Sequence, residues 1–347
     1  DDTALLPAAS ADQPGVNAVS VDFFPAFLAD AWLSGRIAAI HALSDLWASG
    51  VQSTSALAMV ILPDGSVDRQ SEMLHQVLSG AISEFSRANT VLVGGHTTNG
   101  EELAIGFTVF GRTRKATVDR LPLSKANLCP GQLLILTKAL GTGVILAANE
   151  LRLAEARSMS AAIDMMLQSN QTASEIAGEF GVTAATDVTG FGLAGHLLEM
   201  CQQSGVSAEL RIDSIPLLKG AADLIKAGIQ SSLFDENKAA VQDFIVALDG
   251  QENLDQPPES PQASEESPVA RLTSTFTQLK ALHDPQTSGG LLLGIDADRA
   301  DLILAKLVAT GHCDACVVGR VTEIAGNDIK VGHPIIKIVT STSFRPQ

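Results

Sequence analysis

The chain has 347 residues, enough for about two domains. Its 39 acids outweigh 23 bases, a net charge of −16, which argues against a nucleic-acid partner or an anionic membrane surface. Aromatic residues are scarce (12 Phe, 2 Trp, no Tyr), so base-stacking platforms are not expected. No run approaches the roughly 18–20 apolar residues of a membrane span, no secretory leader is visible, and four cysteines make no dense disulfide framework. A cytoplasmic protein is expected. The acidity leaves nucleotides open, because divalent metal can bridge carboxylates to phosphates.

In chain order, a short apolar segment, Ala4-Leu5-Leu6, follows two acids. Residues 14–23 alternate as a strand ending near Asp22. Residues 33–49 read as a helix with Ile37, Ile40 and Leu43–Leu46 towards a core, stopped by Gly50. A strand over 55–62 closes in a Pro63-Asp64-Gly65 turn, and 69–87 form an amphipathic helix. Val91–Gly94 and Leu103–Arg112 are strands. The glycine-rich stretch Gly94–Gly100 between them reads as a loop that could wrap phosphates with N–H groups. The order is β-β-α-β-α-β-β, a mixed α/β set.

Residues 113–128 are polar and turn-rich, and a domain boundary is placed there: 1–115 and 116–347. The second domain opens on the strand Leu133–Leu136, continues with helical segments from about 142 to 180, and reaches the strand 182–186. A strand at 208–212 and helices near 217–227 and 236–248 follow. Residues 250–268 hold four Pro, five acids and no base, the composition of a disordered surface insertion. Core-like sequence resumes with the strand 289–295, a helix at 297–310 and strands near 316–324 and 328–339.

The segment TDVTGFGLAGH, Thr186 to His196, carries the most chemistry. Asp187 ends an apolar strand, two glycines follow, and a helix begins. Close backbone and free N–H groups at a helix start suit a metal-bound phosphate; a strand-turn-helix joint with a capping acid is the plainer alternative. Asp2, Asp22 and Asp45 also sit at or within apolar elements, where converging carboxylates would suit magnesium. Separate capping and ion-pair roles would explain them equally well. Asp45 lies one turn after His41, so either a hydrogen bond joins them or that helix face meets the metal. No G-x-x-x-x-G-K-[ST] occurs, which excludes a Walker-type site. Gln286–Gly290 reads as a tight turn before a buried strand. Cys313-x-x-Cys316 lacks a second ligand pair and reads as two cysteines entering a strand.

Taken together, DDTALL (1–6), VDFF (21–24), GRIAAIHALSD (35–45), GGHT (94–97), ILTKALGTG (135–143), TDVTGFGLAGHLLEM (186–200) and DPQTSGGLLL (284–293) resemble, in order, the selenophosphate synthetase family. That family, also called selenide, water dikinase, belongs to the aminoimidazole ribonucleotide synthetase-like ATP-binding superfamily. The resemblance implies a two-domain α/β (α+β) fold, with an N-terminal mixed sheet that forms a barrel in a homodimer and a C-terminal α/β domain. It implies conversion of ATP, selenide and water to selenophosphate, AMP and phosphate, with Mg2+ and ATP held between the domains. By resemblance Asp2, Asp45 and Asp187 are magnesium ligands. Asp22 and Asp45 bind the nucleotide, as do Gly95, His96 and Thr97 from a segment that reaches across the dimer.

The family's reactive Cys or selenocysteine and its nearby Lys are expected upstream of Asp1, in a longer chain. His41, where many members have Asn, is similar to versions fused to a flavin-dependent oxidoreductase domain. Ser49 and Leu103 depart from the usual residues. A non-catalytic ATP-binding module attached to an oxidoreductase is the alternative reading. A thiamine-monophosphate kinase or hydrogenase-maturation protein is a third, against which HALSD and TDVTGFGLAGH argue.

Overall fold

A computed structural model describes residues 2–6, 17–113, 123–247, 268–324 and 333–340. The chain divides into two compact units, Asp1–Ser124 with Met166–Gly181, and Lys125–Met165 with Val182–Gln347.

The first unit runs β1 (Ala4–Leu6), β2 (Asn17–Pro25), α1 (Ala31–Ala48), β3 (Gln52–Pro63), α2 (Val67–Arg87), β4 (Val91–Gly100) and β5 (Ala104–Arg112). The strands form one sheet in the order β1-β2-β5-β3-β4. Asp30 starts α1 by accepting from Leu33 N–H at 2.9 Å, and Ser66 starts α2 in the same way through Arg69. One sheet face packs on these two helices: Ala18, Ala56, Val60, Ile105, Phe107 and Val109 meet Ile40, Leu43, Leu46 and Phe85. Phe85 and Phe107 stack edge to face with centroids 5.0 Å apart.

The other face carries exposed apolar side chains. Val21 and Leu57 both pair with Thr108, and Phe23 and Met59 both pair with Gly106, so the four lie in two cross-strand rows over β5. Val91 and Val93 on β4 are exposed as well.

Two expectations change here. Gly94–Gly100 is not a loop but the body of β4, paired in parallel with β3 from Leu57↔Gly94 to Pro63↔Gly100. Glycine and Asn score poorly as strand formers, but the long apolar β3 offers a complete ladder and that outweighs propensity. Residues 166–181, assigned from sequence to the second domain, belong to the first unit. The segment includes α5 (Gln171–Glu179), which docks on α1: Ser174 Oγ donates to Trp47 O at 2.5 Å, and Asn170 Nδ2 donates to Ser44 Oγ at 2.8 Å. Helical periodicity shows a helix but not which core it joins.

The second unit contains β6 (Leu133–Leu136), α3 (Thr142–Glu150), most of α4 (Ala156–Leu167), β7 (Ala184–Asp187), α6 (Gly192–Ser204) and β8 (Ser207–Arg211). It continues with α7 (Ala221–Lys226), α8 (Phe234–Val241), β9 (Ile245–Ala247), α9 (Pro268–Ala281), β10 (Leu291–Ile295), α10 (Ala300–Ala309), β11 (Cys316–Thr322) and β12 (Ile336–Val339). Its sheet has the order β7-β10-β6-β11-β8-β12-β9. The inner strands read LLIL and LLLGI because they are covered on both faces. The helix expected over 236–248 stops at Val241, and a short 3-10 turn leads into β9, which pairs with β12. Of the expected insertion at 250–268, residues 250–267 lie outside the described residues and Pro268 opens α9. Among the described residues no helix is long and apolar enough to cross a membrane.

Candidate functional site

In the first unit the β1–β2 pairing sets Ala4 opposite Val19, which brings Asp2 to the Ser20 end of the ladder. Ser20 and Asp22 share a face of β2, because side chains alternate along a strand. His41 and Asp45, one helical turn apart, share the facing side of α1. The result is a polar row between strand and helix. Ser20 Oγ donates to Asp45 Oδ2 and also lies 3.4 Å from Asp2 O. Carboxylate oxygens of Asp2 and Asp45 lie within 4.8 Å of each other. Further along, His41 Nε2 lies 3.8 Å from Asp22 Oδ1, with the Phe24 ring against the imidazole at 5.2 Å. Asp22 Oδ2 is buried with no hydrogen-bond partner among the described residues. The structure sets His41 beside Asp22 and gives Asp45 the Ser20 hydroxyl.

Gly95, His96 and Thr97 sit elsewhere. They lie on the edge strand β4, with β3 and β5 between it and β2. At roughly 4.8 Å per strand the two rows are about 14 Å apart. One copy of the unit therefore does not bring Gly95–Thr97 to Asp2, Asp22 and Asp45.

In the second unit Asp187 ends β7 and is buried. Behind it the α6 start is less open than the sequence suggests: Gly192 N–H donates to Thr189 O and Ala194 N–H to Leu282 O, both at 3.0 Å. The Thr189 N–H is held by His196, whose Nε2 accepts at 3.1 Å. Burial pushes His196 down to about 3, and the Lys125 charge acts in the same direction. The ring is neutral, so its proton rests on Nδ1, 3.8 Å from the Glu199 carboxylate that Lys125 binds at 2.9 Å.

A pH dependence follows. The unfolded chain takes up this proton near 6.5 and the folded one only near 3, so the folded state is penalised as pH falls through that window and unaffected above it. Thermal melts taken from neutral pH downward should show a steeper loss of Tm for the wild type than for His196→Gln. Equal slopes would remove His196 as the cause.

Of three further buried residues, Lys138 and Asp284 were not singled out from the sequence, and Gln286 was read only as the start of a tight turn. Lys138, at the end of β6, is fully buried and donates from Nζ to Ser288 O at 2.8 Å. Burial pushes its ammonium down to about 7 against the pull of the Asp187 charge. Gln286 Oε1 accepts from Gly141 N–H, Thr142 N–H and Thr142 Oγ1 at 2.9–3.1 Å. Asp284 Oδ2 accepts from Val144 N–H at 3.1 Å, and burial pushes this acid up to about 7. Gln286 and Asp284 together plug the α3 start, so the glycine-rich turn LGTG is capped from within and does not cradle a phosphate. The signal was in DPQTSGG: an acid and an amide beside a buried strand need partners, and helix N–H groups are the nearest supply.

The family of AIR synthase related proteins matches both parts of the chain, its N-terminal domain over residues 1–113 and its C-terminal domain over residues 129–332. Among solved structures, hydrogenase maturation protein HypE in complex with ATP superposes with a TM-score of 0.65 at 17% identity, covering 96% of this chain and 84% of that one. AaThiL complexed with AMPPCP and TMP gives 0.63 at 17%, covering 97% and 87%. These two likenesses show the fold, the two-domain α/β architecture shared with AIR synthase related proteins.

The nearer likenesses are in sequence. A selenide, water dikinase of Caldanaerobacter subterraneus subsp. tengcongensis is 34% identical over 90% of this chain and 81% of its own length. Another, of Pelobacter propionicus, is 34% identical over 93% and 87%. The chain belongs to the selenide, water dikinase family and is a phosphotransferase.

Proposed function

We propose that this chain makes selenophosphate from selenide, ATP and water, releasing AMP and phosphate. The observation that carries the site is the Asp2–Ser20–Asp45 arrangement, in which two carboxylates from different elements stand within 4.8 Å. An all-oxygen, anionic donor set suits a hard divalent cation. Asp2 and Asp45 hold Mg2+ together with Asp187 from the second unit, and Asp22, whose buried Oδ2 seeks a donor, binds the nucleotide. Magnesium, when bound, supplies charge neutralisation at the phosphate oxygens. The residues themselves position. Ser20 fixes Asp45 by a hydrogen bond, and Asp22 stands 3.8 Å from the His41 imidazole. Phosphoryl transfer depends mostly on such placement. With a net charge of −16, the free protein repels ATP, so metal must accompany the nucleotide.

The protein acts as a homodimer, with Gly95, His96 and Thr97 of one protomer serving the site of its partner. The apolar rows of Val21, Phe23, Leu57 and Met59 support this reading, since contiguous exposed apolar rows mark interaction surfaces. The four free cysteines fit the reducing cytoplasm. An experiment on the full-length protein tests the activity: AMP should accumulate from ATP when selenide is present and not when it is withheld. ATP binding without selenide-dependent AMP would sink the proposal and favour a regulatory nucleotide module.

A further inference from the structure

Three strand ends meet where β10 begins. Thr137, just past β6, donates its N–H to Leu291 O at 3.0 Å and accepts from Leu291 N–H through Oγ1 at 2.8 Å. From the other side Val188 N–H donates to Gly290 O at 2.8 Å, and Asp187 pairs with Leu291. Both neighbours close in on two glycines. A Cβ on Gly289 would lie 1.9 Å from Val188 O, and one on Gly290 would lie 2.6 Å from Lys138 N. The close approach needs glycine at both places. It sets Lys138 and Asp187 on opposite flanks of one turn, with Lys138 Nζ held at Ser288 O. Lys138 has no exposed surface, so its charge cannot leave for solvent.

We propose that Lys138 is the resident counter-ion of Asp187, a positioning residue that holds this carboxylate in the metal-free protein and weakens cation binding there until nucleotide arrives. The proposal rests on the reading of Asp187 as a metal ligand. A buried carboxylate is costly unless a positive charge or N–H donors compensate it. Lys138, anchored at Ser288 O across the same turn, is the cation placed to do this, and Asp187 opposes the burial that disfavours its ammonium form. An incoming divalent cation is attracted by Asp187 and repelled by Lys138, and burial leaves that repulsion little screened. A triphosphate brings the negative charge that offsets the lysine. Metal loading at Asp187 is thereby tied to nucleotide, and a cation without ATP is held poorly.

The test uses Mn2+ alone as the probe, with free Mn2+ read by electron paramagnetic resonance, on the full-length protein with and without ATP. Without ATP, Lys138→Met should bind Mn2+ about tenfold more tightly than the wild type, and with saturating ATP the gap should close to less than about threefold. Asp187→Asn in the same background should remove the gain. A purely structural role would lower affinity, so the direction of the change separates the two. Equal or weaker Mn2+ binding by Lys138→Met overturns the proposal. Lys138→Gln keeps an N–H donor for Ser288 O without the charge, and the same gain is required of it where the Met variant does not fold. If Asp187→Asn alone leaves Mn2+ binding with ATP unchanged, the metal-ligand reading of Asp187 has failed. If that variant binds weakly while Lys138→Met shows no gain, only the counter-ion proposal has failed.

Discussion

Replacing Asp187 by Asn in the full-length protein should lower selenide-dependent AMP formation by about two to three orders of magnitude, the usual scale for removing one preorganised electrostatic contact. Asn keeps the shape and one acceptor oxygen but not the charge, and a hard cation holding phosphates requires charge. Asp45→Asn should act similarly. Asp45 already has the Ser20 hydroxyl as donor, so its carboxylate is placed before any ligand arrives. Asp187→Asn carries a second cost: Lys138 loses its acid partner inside a fully buried site. The variant should therefore melt lower, and turnover must be measured at a temperature where circular dichroism shows it folded. Raised Mg2+ should recover part of the rate in Asp45→Asn, since weakened binding is overcome by mass action. Turnover unchanged in either variant, with folding intact, would end the assignment of these acids as ligands.

The strand and helix elements of the first unit were legible because they are local. The order β-β-α-β-α-β-β, the long apolar α1 stopped at Gly50 and the β6 strand at Leu133–Leu136 all follow from apolar patterning and turn residues. The misreadings came from non-local partners. Gly94–Gly100 lacks strand propensity, and only β3, thirty-odd residues earlier in sequence, makes it a strand. The helix at 171–179 was readable as a helix, while its docking on α1 through Ser174 and Trp47 was not. Asp2, Asp22 and Asp45 could be picked out by their position at or within apolar elements. Lys138 could not, because a lysine after an apolar run reads as a solvated strand end. Its burial depends on Gly289 and Gly290, some 150 residues away. The same limit applied to Gln286 and Asp284, whose partners lie in the α3 turn.

Lysine at both Val21 and Met59 should convert the proposed dimer to a monomer, raising its dissociation constant by at least about a thousandfold. These side chains stand in adjacent rows on the exposed sheet face, and burying two uncompensated charges in such a contact costs several kcal/mol, on the order of 3–5 for each unpaired charge. Both positions point away from the helices, so the core of the unit is untouched and the monomer should remain folded. Sedimentation velocity reads the result directly; a wild-type monomer, or a variant that still dimerises, rejects this face as the interface.

The separation of Gly95–Thr97 from the Asp2–Asp45 pair within one unit gives a sharper consequence. If each site takes its acids from one protomer and His96 from the other, two inactive variants should complement. Asp45→Asn mixed with His96→Ala, after exchange of subunits, forms heterodimers with one intact site and one doubly damaged site. Random pairing makes half the dimers mixed, so activity should recover to about a quarter of the wild type. Sites built within single protomers would leave every site in the mixture damaged, and activity would stay at the level of the separate variants.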